Sequence, residues 1–482
     1  MDRRLKIRDS IKTGLAIILV LLFGLSLLPR LQNPSGSDEA LSFRLSSLLV
    51  QAARLFPDRS YLWRLAGRVA LQEGNIDGAI QYFIHSGLDG LSAQDLTEIG
   101  TALLQTGDIQ RSVQVWEKAL AQGAAPGDIY PLLLQAHRAQ QDYPAILQDL
   151  EQLLRIKPDD QQVLNQAALL AAALDPVESL PLLDSAGGQP GNSAASARQI
   201  ARAIRSAVQA STDPAYLLLE SGRALASAGA WEMAVLAFDQ ATRARPGYAE
   251  AWAYLGMARR QAALRQSSDP DTPLPDDLGF AELQKAHQLD PTSLPAMIFL
   301  ANYWQQTGNI PQALNILQQA VDRYPSTPLL QAELGNALAA AGDLINALHA
   351  YQQAVALAPG EAVYYRYLAE FSIKNDYFVS EIALPAARQA IILDEHSASS
   401  QDIMAQVFIR LGDLTNAERF LNQALALDPH YSPALLHLGT IFLMHGDAQT
   451  AERLFNQVRT LDPGSAAATQ ARQFLRKEHM SP

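Results

Sequence analysis

Residues 308–359 read GNIPQALNILQQAVDRYPSTPLLQAELGNALAAAGDLINALHAYQQAVALAP, and the spacing within them decides the fold. Gly308-Asn309 is answered 34 residues later by Gly342-Asp343. Five residues after each glycine stands an alanine, Ala313 or Ala347, and four beyond that a large apolar residue, Leu317 or Tyr351. Seventeen residues after each glycine comes a proline, Pro325 or Pro359. Seven before each glycine is another small residue, Ala301 or Gly335.

The same neighbours surround glycines elsewhere: Gly74, Gly107, Gly229, Gly412 and Gly446. The small residue before them is Gly67, Gly100, Gly222, Ala405 or Gly439, and the one after is Ala79, Ser112, Ala234, Ala417 or Ala451. The large residue is Phe83, Trp116, Phe238, Leu421 or Phe455. Small residues let two antiparallel helices approach, and the large one fills the hole between them and the next pair. The glycine takes a turn that a side chain would resist, and the proline stops the second helix. The unit is a helical hairpin.

These residues resemble the tetratricopeptide-repeat (TPR) family, with its W-x2-L-G…A-x3-F…P signature. Trp252-Ala253-Tyr254-Leu255-Gly256 matches the opening of that signature and Ala234-Val235-Leu236-Ala237-Phe238 its second half. The resemblance extends over about residues 60–465. It implies an all-α solenoid of helical hairpins wound as a right-handed superhelix, each hairpin burying its apolar face only against its neighbours.

Departures from the pattern set the domain boundaries. Segment 38–57 reads as a leading helix, and residues 38–184 as an N-terminal array that degenerates towards its end. There Gln141 replaces a turn glycine and Asp175-Pro176 stands at the following turn. Residues 185–196 (SAGGQPGNSAAS) read as a flexible break. A C-terminal array follows over 197–465, with an Asp- and Pro-rich loop insertion at 266–277. Its 362–397 unit is two residues too long and turns at Asn375-Asp376. Residues 466–480 read as a closing helix over the last hairpin.

The N-terminus has a different character. Thr13 to Pro29 is an uncharged run of 17 residues, preceded by Arg3, Arg4, Lys6, Arg8 and Lys12 and followed closely by Arg30 and Arg44 alone. A spanning helix needs about 20 residues, and the basic flank stays inside. Residues 1–12 are therefore expected to be a basic cytoplasmic tail and 13–31 a single transmembrane helix, with the TPR domain outside. Leu27-Leu28-Pro29-Arg30-Leu31 offers no small-x-small site for cleavage. The rival topology leaves the repeats in the cytoplasm, as a membrane adaptor that recruits a soluble enzyme or protease.

Composition narrows the function further. The 482 residues contain no cysteine, which removes disulfides, thiolate metal sites and cysteine nucleophiles. The net charge is −12; residues 1–30 carry +4, so the remainder is at −16, too acidic for a general nucleic-acid binder. No phosphate-cradling loop, nucleophile elbow or H-E-x-x-H motif is present. His437 and His445 do not share a helix face, and Asp269, Asp271, Asp276 and Asp277 lack the rest of a calcium loop. The sequence thus points away from an enzyme, a cofactor and a metal, and towards partner proteins or peptides.

In TPR folds the first helix of each hairpin lines a concave groove. Carried over by position, the candidate groove residues are Arg64, Arg68, Arg223, Arg260, Asn302, Asn336, Arg366 and Gln406. The Lys/Asn clamp of chaperone-binding TPR adaptors is missing, since Ile298 precedes Asn302 and Ala332 precedes Asn336. Tyr364, Tyr365, Tyr367 and Phe371 read as packing between repeats. A second candidate is a basic band from Arg198 to Arg265, where nine arginines face Asp213, Glu220, Glu232, Asp239 and Glu250. Within it Arg198, Arg202 and Arg205 fall on one helix face. The resemblance implies an N-terminally anchored scaffold that assembles or positions bacterial cell-envelope machinery.

Overall fold

A computed structural model describes residues 39–56, 59–87, 91–189, 191–266, 275, 277–461 and 465–479. Among these residues the chain is entirely helical. The expected basic tail and transmembrane helix, 1–12 and 13–31, lie outside the described residues, as does most of the 266–277 insertion. Among the described residues no helix is long and apolar enough to cross a membrane.

After a leading helix α1 (Glu39–Leu55), the first hairpins are α2 (Ser60–Gln72) with α3 (Ile76–Ser86) and α4 (Ala93–Gln105) with α5 (Ile109–Ala121). Next come α6 (Pro126–Gln140) with α7 (Tyr143–Ile156), and α8 (Gln161–Leu174) with α9 (Leu180–Gly187). A long α10 (Asn192–Ala210) packs on α9, and then α11 (Pro214–Ser227) pairs with α12 (Trp231–Ala244). The remaining pairs are α13 (Ala249–Gln266) with α14 (Phe280–Leu289), α15 (Leu294–Gln306) with α16 (Ile310–Arg323) and α17 (Pro328–Ala340) with α18 (Leu344–Leu357). Then come α19 (Ala362–Lys374) with α20 (Leu384–Leu393), α21 (Ala398–Leu411) with α22 (Leu414–Leu427) and α23 (Ser432–Met444) with α24 (Ala448–Leu461). A closing helix, α25 (Ala466–His479), covers α23 and α24.

Contacts divide the chain into two compact units, one ending at Leu170 and the other beginning at Ala171. The division falls inside α8, ahead of the expected break at 185–196. Helix enters that stretch from both sides, because Ser185–Gly187 finish α9 and Asn192–Ser196 open α10. Arg198 holds the two together by donating to the Gly187 carbonyl, 2.5 Å away. A composition rich in Gly and Ser gave no sign of that tertiary bond.

The turns follow one local recipe. All seven repeat glycines have positive φ, between 73° and 84°, which closes the first helix. In five of the seven the residue after the glycine then caps the second helix: Asn75, Asp108, Asp343, Asp413 and Asp447 accept from the backbone N–H three residues on, while Ala230 and Asn309 make no such bond. At the degenerate turn Gln141 adopts the same left-handed conformation, φ 56°, and Asp142 caps in the same way. In the over-long 362–397 unit Asp376 takes the positive φ, and a single π-helical turn, Val379–Ala383, leads into α20. That turn absorbs the surplus residues without disturbing the hairpin.

Packing then obeys one contact. In five hairpins the first helix presents a glycine to the aromatic ring of the second: Gly67 to Phe83, Gly100 to Trp116, Gly222 to Phe238, Gly335 to Tyr351 and Gly439 to Phe455. A Cβ at these glycines would lie 2.3–2.9 Å from the ring. The rings themselves are buried, with Phe83, Trp116, Phe238 and Phe455 fully so. Trp116 also donates its indole N–H to the Thr97 carbonyl at 3.2 Å, tying ring to backbone across the hairpin.

Gly100→Ala should therefore destabilise the protein by about 1–3 kcal/mol through overpacking against Trp116. Gly127→Ala, in the first turn of α6 with open space around its Cβ, should be neutral or stabilise by up to about 1 kcal/mol. Denaturant melts followed by circular dichroism separate the two; equal effects would refute the packing account.

Candidate functional site

The candidate groove residues prove to have different fates. Arg64 is half-buried on α2. Arg68 bonds through Nε to Asp95 Oδ1 at 2.5 Å, and Asp95 also closes a capping box with Ser92 at the start of α4. Burial raises the Asp95 pKa, but Arg68 and Ser92 outweigh it and hold the carboxyl below its ordinary range. Arg223 donates to Glu220 at 2.8 Å and lies 5.4 Å from the Tyr254 ring centre.

Arg260 is not a groove residue. It is 9% exposed, donates to Gln306 Oε1 at 3.2 Å and to the Leu278 carbonyl at 3.3 Å, and stacks over Tyr303. The extended α13 carries it beneath α14 and α15, where it serves as a packing strut. The carry-over by position that placed it in the groove with Arg223 could not see that burial.

The basic band also dissolves in space. Arg205 pairs with Asp184 at 2.5 Å, Arg198 is bonded to Gly187, and Arg202 donates to the Arg198 carbonyl of its own helix at 3.3 Å. Arg245 pairs with Asp213, Arg243 with Asp239, and Arg259 with Glu282. Asp184 and Glu282 stand outside the stretch that the sequence tallies as basic, so two of its four excess charges are met by neighbouring helices.

Asn302 and Asn336 behave otherwise. Both line a cleft of about 540 Å³ that runs over three successive first helices, α15, α17 and α19. With them stand Gln305 from α15, Glu333 from α17, and Tyr367 and Glu370 from α19. The Tyr351 hydroxyl from α18 donates to Asn336 Oδ1, and the Asn336 side chain hydrogen-bonds Glu333. Burial pushes the Glu333 carboxyl up, partly offset by Asn336. Burial likewise raises Tyr351 and Tyr367, and both are raised further by Glu333 and Glu370. Two carboxylates, Glu333 and Glu370, and one ammonium, Lys374, line the cleft, and Lys374 pairs with Glu370, leaving Glu333 as its uncompensated charge.

Gln305, Glu333, Tyr367 and Glu370 escape the sequence reading of the groove. Glu370 follows Asn336 by 34 residues, as Asn336 follows Asn302, and it is this residue that completes the row. Arg366 instead reaches Ser400 Oγ at 3.1 Å and Asp394 at 3.8 Å. Tyr367, read as packing with Tyr364 and Phe371, lines the cleft; Phe371 lies at its floor while belonging with Tyr364 to the buried core. One more 34-residue step from Asn336 reaches Glu370, ahead of the irregular turn of that hairpin, so the spacing alone could have found it.

Further along the same unit Gln406 donates to Asp402 at 3.0 Å, and Asp402 in turn meets His437 Nδ1 at 2.7 Å. Desolvation lowers the His437 pKa, but Asp402 more than offsets it and the net shift is upward. Among the described residues no cluster of His, Asp and Glu could hold a metal ion.

With this geometry in hand, the chain can be compared with known proteins. Family models described as tetratricopeptide repeat match residues 46–83, 97–161, 300–362 and 408–473. The chain carries tetratricopeptide repeats, and its fold is the helical solenoid built from them. Similar solved structures include yeast Tom70, at 16% identity and TM-score 0.43 over 88% of this chain and 97% of that one. The APC/C hetero-tetramer Cut9-Hcn1 gives 13% identity and TM-score 0.37 over 94% and 95%. MamA from Desulfovibrio magneticus RS-1 gives 20% and 0.29 over 37% and 98%. No curated protein matches the chain in sequence.

Arg260→Glu should cost about 2–4 kcal/mol by burying an unpaired carboxylate, whereas Arg223→Glu should cost under about 1 kcal/mol. Thermal melts decide, and equal losses would contradict the burial of Arg260.

Because the folded-state pKa of His437 is raised, the stability from its pairing with Asp402 is complete below the ordinary imidazole value of 6.5. It is lost as pH rises through the folded-state value. The melting-temperature deficit of Asp402→Asn should accordingly be larger at pH about 5.5 than at about 8.5. A deficit independent of pH would remove the charge from this account.

Proposed function

We propose that the chain is a membrane-tethered scaffold that holds partner proteins or peptides along its first-helix groove. The observation that carries the scaffold reading is the polar cleft spanning α15, α17 and α19, where three hairpins offer amides and carboxylates in register. An extended polypeptide has donors and acceptors along its length, which such a row can meet repeat by repeat. Support for the tether comes from sequence alone, in the uncharged run from Thr13 to Pro29 behind five basic residues. On this reading residues 1–12 lie in the cytoplasm, 13–31 span the cytoplasmic membrane and the repeats face outward. There they assemble or position cell-envelope machinery, without a cofactor or nucleic acid.

A photocrosslinking residue at Gln305, inside the cleft, should capture a discrete partner from intact membranes. The same residue at exposed Gln319, which does not line the cleft, should not. Equal capture, or none, would defeat the groove reading. A topology reporter fused after Pro482 should be active outside the cytoplasm. Activity inside would instead favour recruitment of a soluble enzyme or protease.

A further inference from the structure

We propose that the cleft over α15, α17 and α19 is a receptor for an arginine side chain presented by an extended segment of the partner. This deepens the scaffold reading and rests on it. Glu333 is half-buried on α17, and its carboxylate has an amide, Asn336, as its hydrogen-bond partner. Among the described residues no cation pairs with it. A half-buried carboxylate in this state is under-compensated, and a cation from outside would relieve it.

The surroundings are arranged for such a cation. Glu370 lies one hairpin on, in the position equivalent to Asn336, and its present partner is the exposed Lys374 at 2.6 Å. An exposed pair of this kind, four residues apart on one helix, is worth little and exchanges readily. Tyr351 fills the oxygen of Asn336, so the amide is oriented towards Glu333 and the carboxylate is held in place. Tyr367 adds an aromatic ring at the wall, one repeat on from Glu333.

A planar guanidinium suits this lining better than an ammonium does. Its fork of N–H donors can bond one carboxylate in two-pronged fashion while its face stacks on a ring. An ammonium is more strongly hydrated and has no face to stack. The flanking Asn302 and Gln305 on α15 remain for the partner's backbone amides on either side of the arginine.

The test uses the full-length chain and a fluorescein-labelled 12-residue glycine–serine peptide with arginine at every third position. Citrulline, lysine and glutamate versions serve as comparisons, read by fluorescence anisotropy at low salt. The arginine peptide should bind, with the lysine version weaker and the citrulline version weaker by about tenfold or more. Glu333→Gln should weaken the arginine peptide by about tenfold while the melting temperature holds or rises, as expected where a site is kept at a cost to stability. Glu452→Gln, an exposed carboxylate on α24, should change nothing. Asn336→Trp, which fills the cleft from an exposed position, should abolish binding. Lysine binding as well as arginine, or arginine binding untouched by Glu333→Gln, would overturn the assignment. If the glutamate peptide binds and Asn336→Trp blocks it, the arginine receptor falls and the groove scaffold stands. If no peptide binds in a way that Asn336→Trp blocks, both fall.

Discussion

Everything in this protein depends on how closely two helices can approach when one of them has no side chain at the crossing. Five hairpins lay a glycine of the first helix directly on an aromatic ring of the second, at distances where even a methyl group would collide. The ring is consequently shared: it closes its own hairpin and supplies the surface on which the next is laid. Tyr351 belongs to the same buried cluster as Phe371 and Val379 of the following hairpin, and Phe455 stacks on Phe474 of the closing helix. Where a hairpin is laid on the ring of the one before it, the packing between neighbours is set by that contact.

That regularity is what turns spacing into a site. Residues 34 apart on successive first helices arrive side by side, so Asn302, Asn336 and Glu370 form a row without any of them being near another in sequence. Polar side chains are tolerated there because the row faces a cleft, where the Tyr351 hydroxyl of the aromatic seam bonds Asn336. Where the repeat is broken, the same position is turned to other ends. The lengthened α13 carries Arg260 inward until Gln306, the Leu278 carbonyl and the Tyr303 ring enclose it.

Charge shows the limit of counting along a chain. The stretch from Arg198 to Arg265 holds four more basic than acidic residues, yet its arginines are met by Asp184 from the preceding helix and Glu282 from the following one. Helices stacked side by side exchange counter-ions with their neighbours, so a segment's net charge says little of the field outside it. The cleft shows the converse: α15, α17 and α19 lie in an unremarkable stretch of sequence, and Glu333 and Glu370 come to share one cleft only when the helices stack.

The sequence by itself determined the hairpin, its turn and its phase. A positive-φ glycine, an Asx cap and a small residue facing a large one are local or one-dimensional requirements, and each is legible at fixed spacing. The irregular hairpins were legible only as departures. Nothing in Gln141 announces a left-handed turn, and nothing in the extra residues of 362–397 announces a π-helical one. What only the tertiary structure decided was which groove residues remain accessible. Asn302 and Asn336 line the cleft, Arg260 is buried, Arg68, Arg198 and Arg205 are bonded to neighbouring helices, and Glu370 takes the place expected of Arg366. The reason is that accessibility is a property of the neighbours a side chain meets, and in a stacked array those neighbours come from helices tens of residues away.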